Sequence, residues 1–352
     1  MQLVVIEGVI AVMNLYKKIV AFALCLIMVM ACFAGCGTDK QASVDVTAEN
    51  IGQLVSEAYI DEGEVIAISE NELVPLDTAP AAVSATIMPE ASGTVTKGNT
   101  RVTIDASNTA DGYVMVKYLE STSKRLKIII QSPKGTKYTY NINKKGEWET
   151  FPLSNGNGNY TVTVYQNTSG SMYSTVYSTT LNVTLVDEFA PYLLPNQYVD
   201  YSTASKTVAK AKELTAGKTT DLQKIQAVYS WVVKNVKYDK QEAATVKSGY
   251  LPVVDEVLET KKGICFDYAS LMAAMLRSQG IPCQLVVGYS GKSYHAWINA
   301  YTIEDGWVNS VIYFDGKTWK LMDPTYASTG RQGKAIMQYI NNTANYQAKY
   351  LY

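Results

Sequence analysis

GICFDYASLMAAMLRSQGIPC, Gly263–Cys283, decides how this chain of 352 residues reads. Ala269, Met272, Met275 and Leu276 fall on one face of a helix, so the stretch predicts a helix with an apolar side. Gly280 ends it and Pro282 prevents its continuation. The helix opens at Cys265. At a helix start the unpaired N–H groups and the macrodipole favour negative charge. A thiolate, the nucleophilic form of cysteine, is stabilised there.

A thiol nucleophile also needs a base. The chain has one histidine, His295, in SYHAWINAY. That segment alternates as a strand, with His295, Trp297, Asn299 and Tyr301 on one face and Ala296, Ile298 and Ala300 on the other. A histidine needs a third group to fix its tautomer and orientation. GKTWKLMDPTY supplies one, as a strand that ends at Asp323 and is stopped by Pro324. YFDGKTW just before it carries a hairpin signal at Asp315-Gly316. His295 and Asp323 are thus expected on neighbouring strands that face the start of the Cys265 helix.

These segments together resemble the transglutaminase-like superfamily of papain-type thiol enzymes. The family pattern is Gly-x-Cys opening a helix, then Gly-Ile-Pro and a strand, then His-Ala-Trp, then Asp-Pro-Thr. All four occur here in order, between about Lys206 and Tyr326, with WVVKNVKYD ahead of them. Cys283 follows Gly-Ile-Pro where the family usually carries another residue, and TIEDGWVNSVIY lengthens the hairpin before Asp323. The resemblance implies an α+β, papain-like domain. It also implies Cys265 as nucleophile, His295 as base and Asp323 as orienting acid. The reaction implied is attack on a peptide or carboxamide carbonyl through an acyl-thioester.

An amide-attacking thiol needs an oxyanion hole. The Cys265 backbone N–H is one donor, and Tyr238 and Tyr250 are candidates for a second through their hydroxyls. Trp297 is a candidate wall against water. A Cys265–Cys283 disulfide is chemically allowed outside the cytoplasm. The helix between them runs about 15 residues, roughly 20 Å, against the ~6 Å Cα separation a disulfide needs. Cys283 reads instead as a buried small residue entering the strand QLVVGY. A zinc site from Cys265, Cys283, His295 and Asp323 lacks the short ligand spacings of common zinc modules. No metal or organic cofactor is implied, and there is no EF-hand-like acidic loop.

Outward from this core, STASKTVAKAKELTAG predicts a short helix ending at Gly217. TTDLQKIQAVYSWVVKNVKYD predicts a stronger one, with Thr220 and Gln223 at capping-box spacing. The tail GKAIMQYINNTANYQAKYLY, Gly333–Tyr352, reads as helical. DEFAPYLLPNQYVD breaks the patterning with two of its prolines and marks a domain boundary. Before it, RVTID, YVMVKY, LKIIIQ, KYTYNI, WETFPL, YTVTVYQ and YSTTLNVTL alternate with period two. Short alternating strands between Gly, Asn, Ser and Pro turns argue for an antiparallel sandwich, immunoglobulin-like in class. It carries no histidine, cysteine or carboxylate cluster and reads as a spacer or binding module.

From Gly37 to about Thr100 the chain is acidic, with Lys40 and Lys97 its only lysines and Tyr59 its only aromatic residue. Such a composition buries too little apolar area to fold and reads as a flexible tether, with a short helix near Ile51–Tyr59. MNLYKKIVAFALCLIMVMACFAGCG has the positive start, apolar run and small-residue end of a signal peptide, with Met13 the expected start. FAGC resembles a bacterial lipobox, with Phe33 where that pattern prefers Leu. The resemblance implies cleavage before Cys36 and a lipid on its sulfur, which removes Cys25 and Cys32.

The expected organisation is multidomain. Residues 1–36 are a lipoprotein signal peptide, 37–100 a tether and 101–186 an all-β sandwich. A linker spans 187–204, and 205–352 form the α+β transglutaminase-like domain. The formal net charge of −1 gives no reason for a nucleic-acid partner. The expected setting is the outer face of a bacterial cytoplasmic membrane, reached through lipid on Cys36. The expected partner is a protein or peptide substrate, cell-wall peptide included. Hydrolysis is the default over protein cross-linking, because water needs no binding site of its own. A surface module that binds peptide or glycan without catalysis is the alternative from another class.

Overall fold

The computed structural model describes residues 86–302, 306–308, 313–314, 319–320 and 345–352. Its N-terminal half is built from β1 (Thr96–Gly98), β2 (Val102–Asp105), β3 (Tyr113–Tyr118), β4 (Leu126–Gln131), β5 (Lys137–Ile142), β6 (Glu149–Pro152), β7 (Gly158–Ser169) and β8 (Met172–Val183). These form two four-stranded sheets, ordered β1-β2-β3-β6 and β5-β4-β7-β8. Every pairing in them is antiparallel. Period-two patterning does the sorting. Leu126, Ile128 and Ile130 of β4 turn inward, as do Tyr138, Tyr140 and Ile142 of β5, while Lys127 and Lys137 turn out. The inward residues of both sheets belong to one buried cluster.

Residues 86–100 lie inside the expected tether but are fixed to the folded body, which corrects that end of it. Strand β1 pairs with β2, Thr96 opposite Asp105. Gly93 N–H donates to Asp105 Oδ2 at 2.6 Å. Thr86 Oγ1 donates to the Ser278 carbonyl at 3.0 Å. The tether composition fails as a guide here because the acceptors come from later in the chain. Residues 1–85, with the expected signal peptide, Cys36 and the Ile51–Tyr59 helix, lie outside the described residues.

The C-terminal half opens with α1 (Lys206–Thr215), α2 (Asp221–Asn235), β9 (Lys237–Tyr238), α3 (Lys240–Thr245), α4 (Val254–Thr260) and β10 (Lys262–Gly263). Helix α5 (Cys265–Arg277) leads into β11 (Cys283–Ser290), β12 (Ser293–Thr302), β13 (Gly306–Val308), β14 (Tyr313–Phe314), β15 (Trp319–Lys320) and β16 (Tyr346–Leu351). Thr220 caps α2 by accepting from Gln223 N–H, and Gln223 Oε1 reaches back to Thr219 N–H rather than to Thr220. The reciprocal bond of a full capping box is thus displaced by one residue.

The helix α5 packs on β11 and β12 and is flanked by α1, α2 and α4. Its expected single apolar face is too modest. Every residue from Asp267 to Arg277 is buried, so the helix is the centre of this half. Leu271, Met272, Met275 and Leu276 are fully enclosed, each burial stabilising by about 1.5–3 kcal/mol. The sheet order is β13-β12-β11-β16. The expected helical tail is corrected over its last residues, since β16 pairs antiparallel with β11. An edge strand left bare exposes a row of N–H and C=O groups, and the tyrosine-rich tail covers that row.

Segment 187–204, expected as a linker, is packed rather than loose. Ala190, Pro191 and Tyr192 form a buried 3-10 turn. Phe189 lies on Tyr301, ring centroids 4.0 Å apart, and Tyr192 meets Trp307 edge-on at 5.4 Å. Leu194 covers Tyr113 and Met115 on the outer side of β3. Arg277, fully buried, binds three main-chain oxygens, of Cys283 at 2.8 Å, Leu194 at 2.7 Å and Tyr352 at 2.5 Å. One guanidinium therefore joins the end of α5, the start of β11, the connecting segment and the chain after β16.

Candidate active site

The first turn of α5 is arranged around one carboxylate. Asp267 Oδ2 accepts from the Ile264 N–H and its Oδ1 from the Tyr250 hydroxyl, both at 2.7 Å. This explains the glycine two residues before Cys265. A Cβ on Gly263 would lie 2.5 Å from the Asp267 Cβ and 2.9 Å from Oδ2. Gly263 also pairs in parallel with Tyr238, and its carbonyl accepts from Asp239 N–H at 2.9 Å. The short β9–β10 pair thereby sets Tyr238 beside the start of α5. Burial pushes the Asp267 carboxyl up to about 6, against the pull of Ile264 and Tyr250, with Glu242 and Asp239 adding to the rise.

Cys265 is the first residue of α5, partly exposed, with a free thiol. Cys283 is also free, fully buried on β11 among core residues. Burial pushes its thiol up to about 12. The two thiols sit on separate elements with no bond between them, as the helix length requires. Two further contacts lock α5 in place. Tyr268 donates to the Val236 carbonyl at 2.7 Å, and Ser270 to the Tyr198 carbonyl at 2.6 Å.

His295 is buried on β12, directly opposite Gly288 of β11. Its ring stacks on Trp297, centroids 6.1 Å apart at 21°, and Tyr346 stands 6.5 Å away. A Cβ on Gly288 would lie 3.0 Å from Trp297 and 2.0 Å from the Gln347 carbonyl oxygen, so only glycine fits there. Ala296, Ile298 and Ala300, on the other face of β12, belong to the core that encloses α5.

Cys265 and His295 border one cavity of about 470 Å³. Ile264 and Phe266 flank the thiol, Tyr294 and Ala296 flank the histidine, and Tyr238 and residues 246–251 form further walls. Another wall comes from outside the C-terminal half. Asn141 of β5 and Gln197 and Tyr198 of the connecting segment line the same space. Gln197 Nε2 donates to the Asn141 carbonyl at 2.7 Å, which fixes this wall. Lys247 contributes a cationic side chain to the lining.

The remaining candidates divide. Tyr238 lines the cavity. Tyr250 lines it too, but its proton is donated to Asp267. Trp297 is almost wholly buried and backs the histidine ring. Asp323 lies outside the described residues. The strand before it was expected beside that of His295. Among the described residues the neighbours of β12 are β11 and β13, and β15 pairs with β14. Gly306–Val308, within the lengthened hairpin, pairs antiparallel with β12. Among the described residues no three His, Cys, Asp or Glu side chains gather as a metal ion requires.

The family model of the transglutaminase-like superfamily matches residues 208–324, the segment that holds α5 and β12. This segment is a transglutaminase-like domain. The chain is 30% identical over 109 residues to the kyphoscoliosis peptidase of Mus musculus, which covers 31% of the chain and 16% of that protein. It is 32% identical over 88 residues to a protein-glutamine gamma-glutamyltransferase of Pseudomonas aeruginosa, 21% of the chain and 11% of that protein. The chain thus spans less than a fifth of the length of these relatives. Among solved structures, red sea bream transglutaminase is similar at 11% identity over 65% of the chain and 53% of that protein, with a TM-score of 0.26.

Several residues around the transglutaminase-like site were not legible as such. Asp267 had a local signal, an acidic residue in the first turn after a glycine and a cysteine. Asn141, Gln197 and Tyr198 had none. They reach the cavity through long-range packing that no local pattern encodes.

Proposed function

We propose that the chain is a thiol enzyme that cleaves peptide or carboxamide bonds, with Cys265 as nucleophile, His295 as base and Asp323 as the acid that orients His295. The observation that carries this reading is the shared cavity of Cys265 and His295. The thiol proton passes to the imidazole across that cavity, directly or through one water. The thiolate adds to the carbonyl carbon. The resulting oxyanion is held by the Cys265 N–H, free at a helix start, and by the Tyr238 hydroxyl. Collapse expels the amine or ammonia, which takes the proton from His295, and leaves an acyl-thioester on Cys265. Water, deprotonated by His295, then releases the carboxylic acid and the thiol.

The aromatic walls, the carboxamides of Asn141 and Gln197 and the cation of Lys247 suit a neutral or acidic peptide. The N-terminal sheets, which we read as immunoglobulin-like, help to build the cleft and are more than a spacer. Export and a lipid on Cys36 remain part of the proposal, on the strength of the lipobox resemblance. They place the enzyme on a bacterial cell surface, with cell-wall peptide among its substrates.

Amine transfer is the second reading, favoured by the likeness to the gamma-glutamyltransferase of Pseudomonas aeruginosa. Incubating a glutamine-containing peptide with a primary amine separates the two. Release of free acid faster than amine adduct supports hydrolysis, and the reverse supports transfer. Turnover unchanged in Cys265→Ala removes both.

A further inference from the structure

Asp267 stands two residues beyond Cys265 and makes bonds to two different parts of the site. One oxygen holds the Ile264 N–H at the start of α5. The other holds Tyr250, which belongs to the 246–251 wall of the cavity. The carboxylate is completely enclosed, and Gly263 is kept free of a side chain to make room for it. Unpaired burial of a carboxylate is costly, so this one requires donors and holds each one that reaches it. That requirement locks the cavity wall to the turn that carries the thiol.

We propose that Asp267 is a positioning residue that sets the nucleophile's helix turn and the Tyr250 wall of the cleft from a single side chain. This rests on the reading of Cys265 as nucleophile. Asp267 touches neither substrate nor thiol and acts through Ile264 and Tyr250. The two arms separate by substitution. Tyr250→Phe breaks only the wall arm. Asp267→Ala breaks both. Asp267→Asn keeps both, since its Oδ1 accepts from Ile264 N–H and its Nδ2 donates to the Tyr250 oxygen.

The test uses the full chain and two probes. Iodoacetamide is small and reports the thiol alone. A benzyloxycarbonyl-dipeptide diazomethyl ketone fills the cleft and resolves binding (KI) from bond formation (kinact). Tyr250→Phe is expected to raise KI about fivefold while kinact and the iodoacetamide rate stay within about twofold. Asp267→Ala is expected to raise KI and to lower kinact and the iodoacetamide rate by about tenfold, and Asp267→Asn to recover most of that loss. The proposal is overturned if KI is unmoved in Tyr250→Phe, or if Asp267→Asn is as impaired as Asp267→Ala. Should Asp267→Ala fail to fold, Tyr250→Phe and Asp267→Asn still decide. Failure of the underlying reading looks different: wild-type Cys265 then reacts no faster than an ordinary thiol, and both ideas fall together.

Discussion

Tyr138 of β5 meets Tyr352, just beyond β16, edge to face, with ring centroids 5.5 Å apart and planes at 82°. One ring comes from the N-terminal sheets and the other from the end of the C-terminal half. Tyr140 extends the contact, meeting Tyr352 at 5.7 Å and stacking on Tyr198 at 5.5 Å. The two halves thus share one apolar core. A shared core predicts one cooperative transition. Trp148 reports the first half and Trp231 the second. Single-tryptophan variants retaining one or the other are expected to unfold at the same denaturant concentration. Tyr138→Ala is expected to cost about 3 kcal/mol and to shift both together. Two separate midpoints contradict the shared core.

Arg277 gives a second prediction about the same junction. Its three acceptors lie on β11, the connecting segment and the end of the chain. Arg277→Ala takes a donor from three main-chain oxygens, of which that of Tyr352 keeps the Leu285 N–H, at a cost of about 3–5 kcal/mol in urea denaturation. Arg277→Lys has a point charge without the planar fork and is expected to recover less than half of that loss. A variant as stable as the wild type refutes the role given to this side chain.

Asn141 tests whether the N-terminal sheets help to bind substrate. Asn141→Ala removes a polar group from the cleft wall without touching α5 or β12. With the dipeptide diazomethyl ketone, KI is expected to rise about threefold and kinact to stay within about twofold. An unchanged KI returns the sheets to a spacer role.

Asp267 gives a prediction in pH. Its carboxyl is raised by burial to about 6, with Tyr250 and the Ile264 N–H bonded to it and Glu242 and Asp239 nearby. From about pH 4 to pH 6 the folded chain keeps a proton that the unfolded chain has released. The stabilising contribution of this group is full below about pH 4 and is lost as pH rises through 6. Asp267→Asn carries no charge to bury. It is expected to be more stable than the wild type at pH 7.5, by at most about 3 kcal/mol, with the gap closing toward pH 4. A variant less stable at pH 7.5 contradicts the buried charge. Thermal unfolding across this range measures it.

What the sequence shows clearly is what local patterning controls. The strands around Val102–Asp105, Leu126–Gln131 and Lys137–Ile142 follow from period two, the Thr220 cap from capping chemistry, and the close of α5 from Gly280 and Pro282. The family pattern singles out Cys265 and His295, which the fold brings to one cavity. Other features depend on partners far away in sequence. The Asp187–Asp200 stretch has the prolines of a linker, yet Leu194 and Tyr192 are core residues because two halves close on them. The Tyr346–Leu351 tail reads as helical by itself and becomes a strand because β11 offers an open edge. The TIEDGWVNSVIY excursion looks like loop growth and supplies the strand next to β12. Asp267 is visible as an acidic first-turn residue, but its bond to Tyr250 depends on how the 246–251 loop returns to α5.

The most direct measurement is alkylation of the folded chain by iodoacetamide at neutral pH without reductant, with the adducts mapped by mass spectrometry. Cys265 is expected to react at least about tenfold faster than an ordinary thiol and to slow in His295→Ala. Cys283, enclosed and with its thiol pushed up to about 12, is expected to stay unlabelled until the protein is unfolded. A Cys265 that reacts at the ordinary rate, and is indifferent to His295→Ala, would contradict the pairing of the two as nucleophile and base.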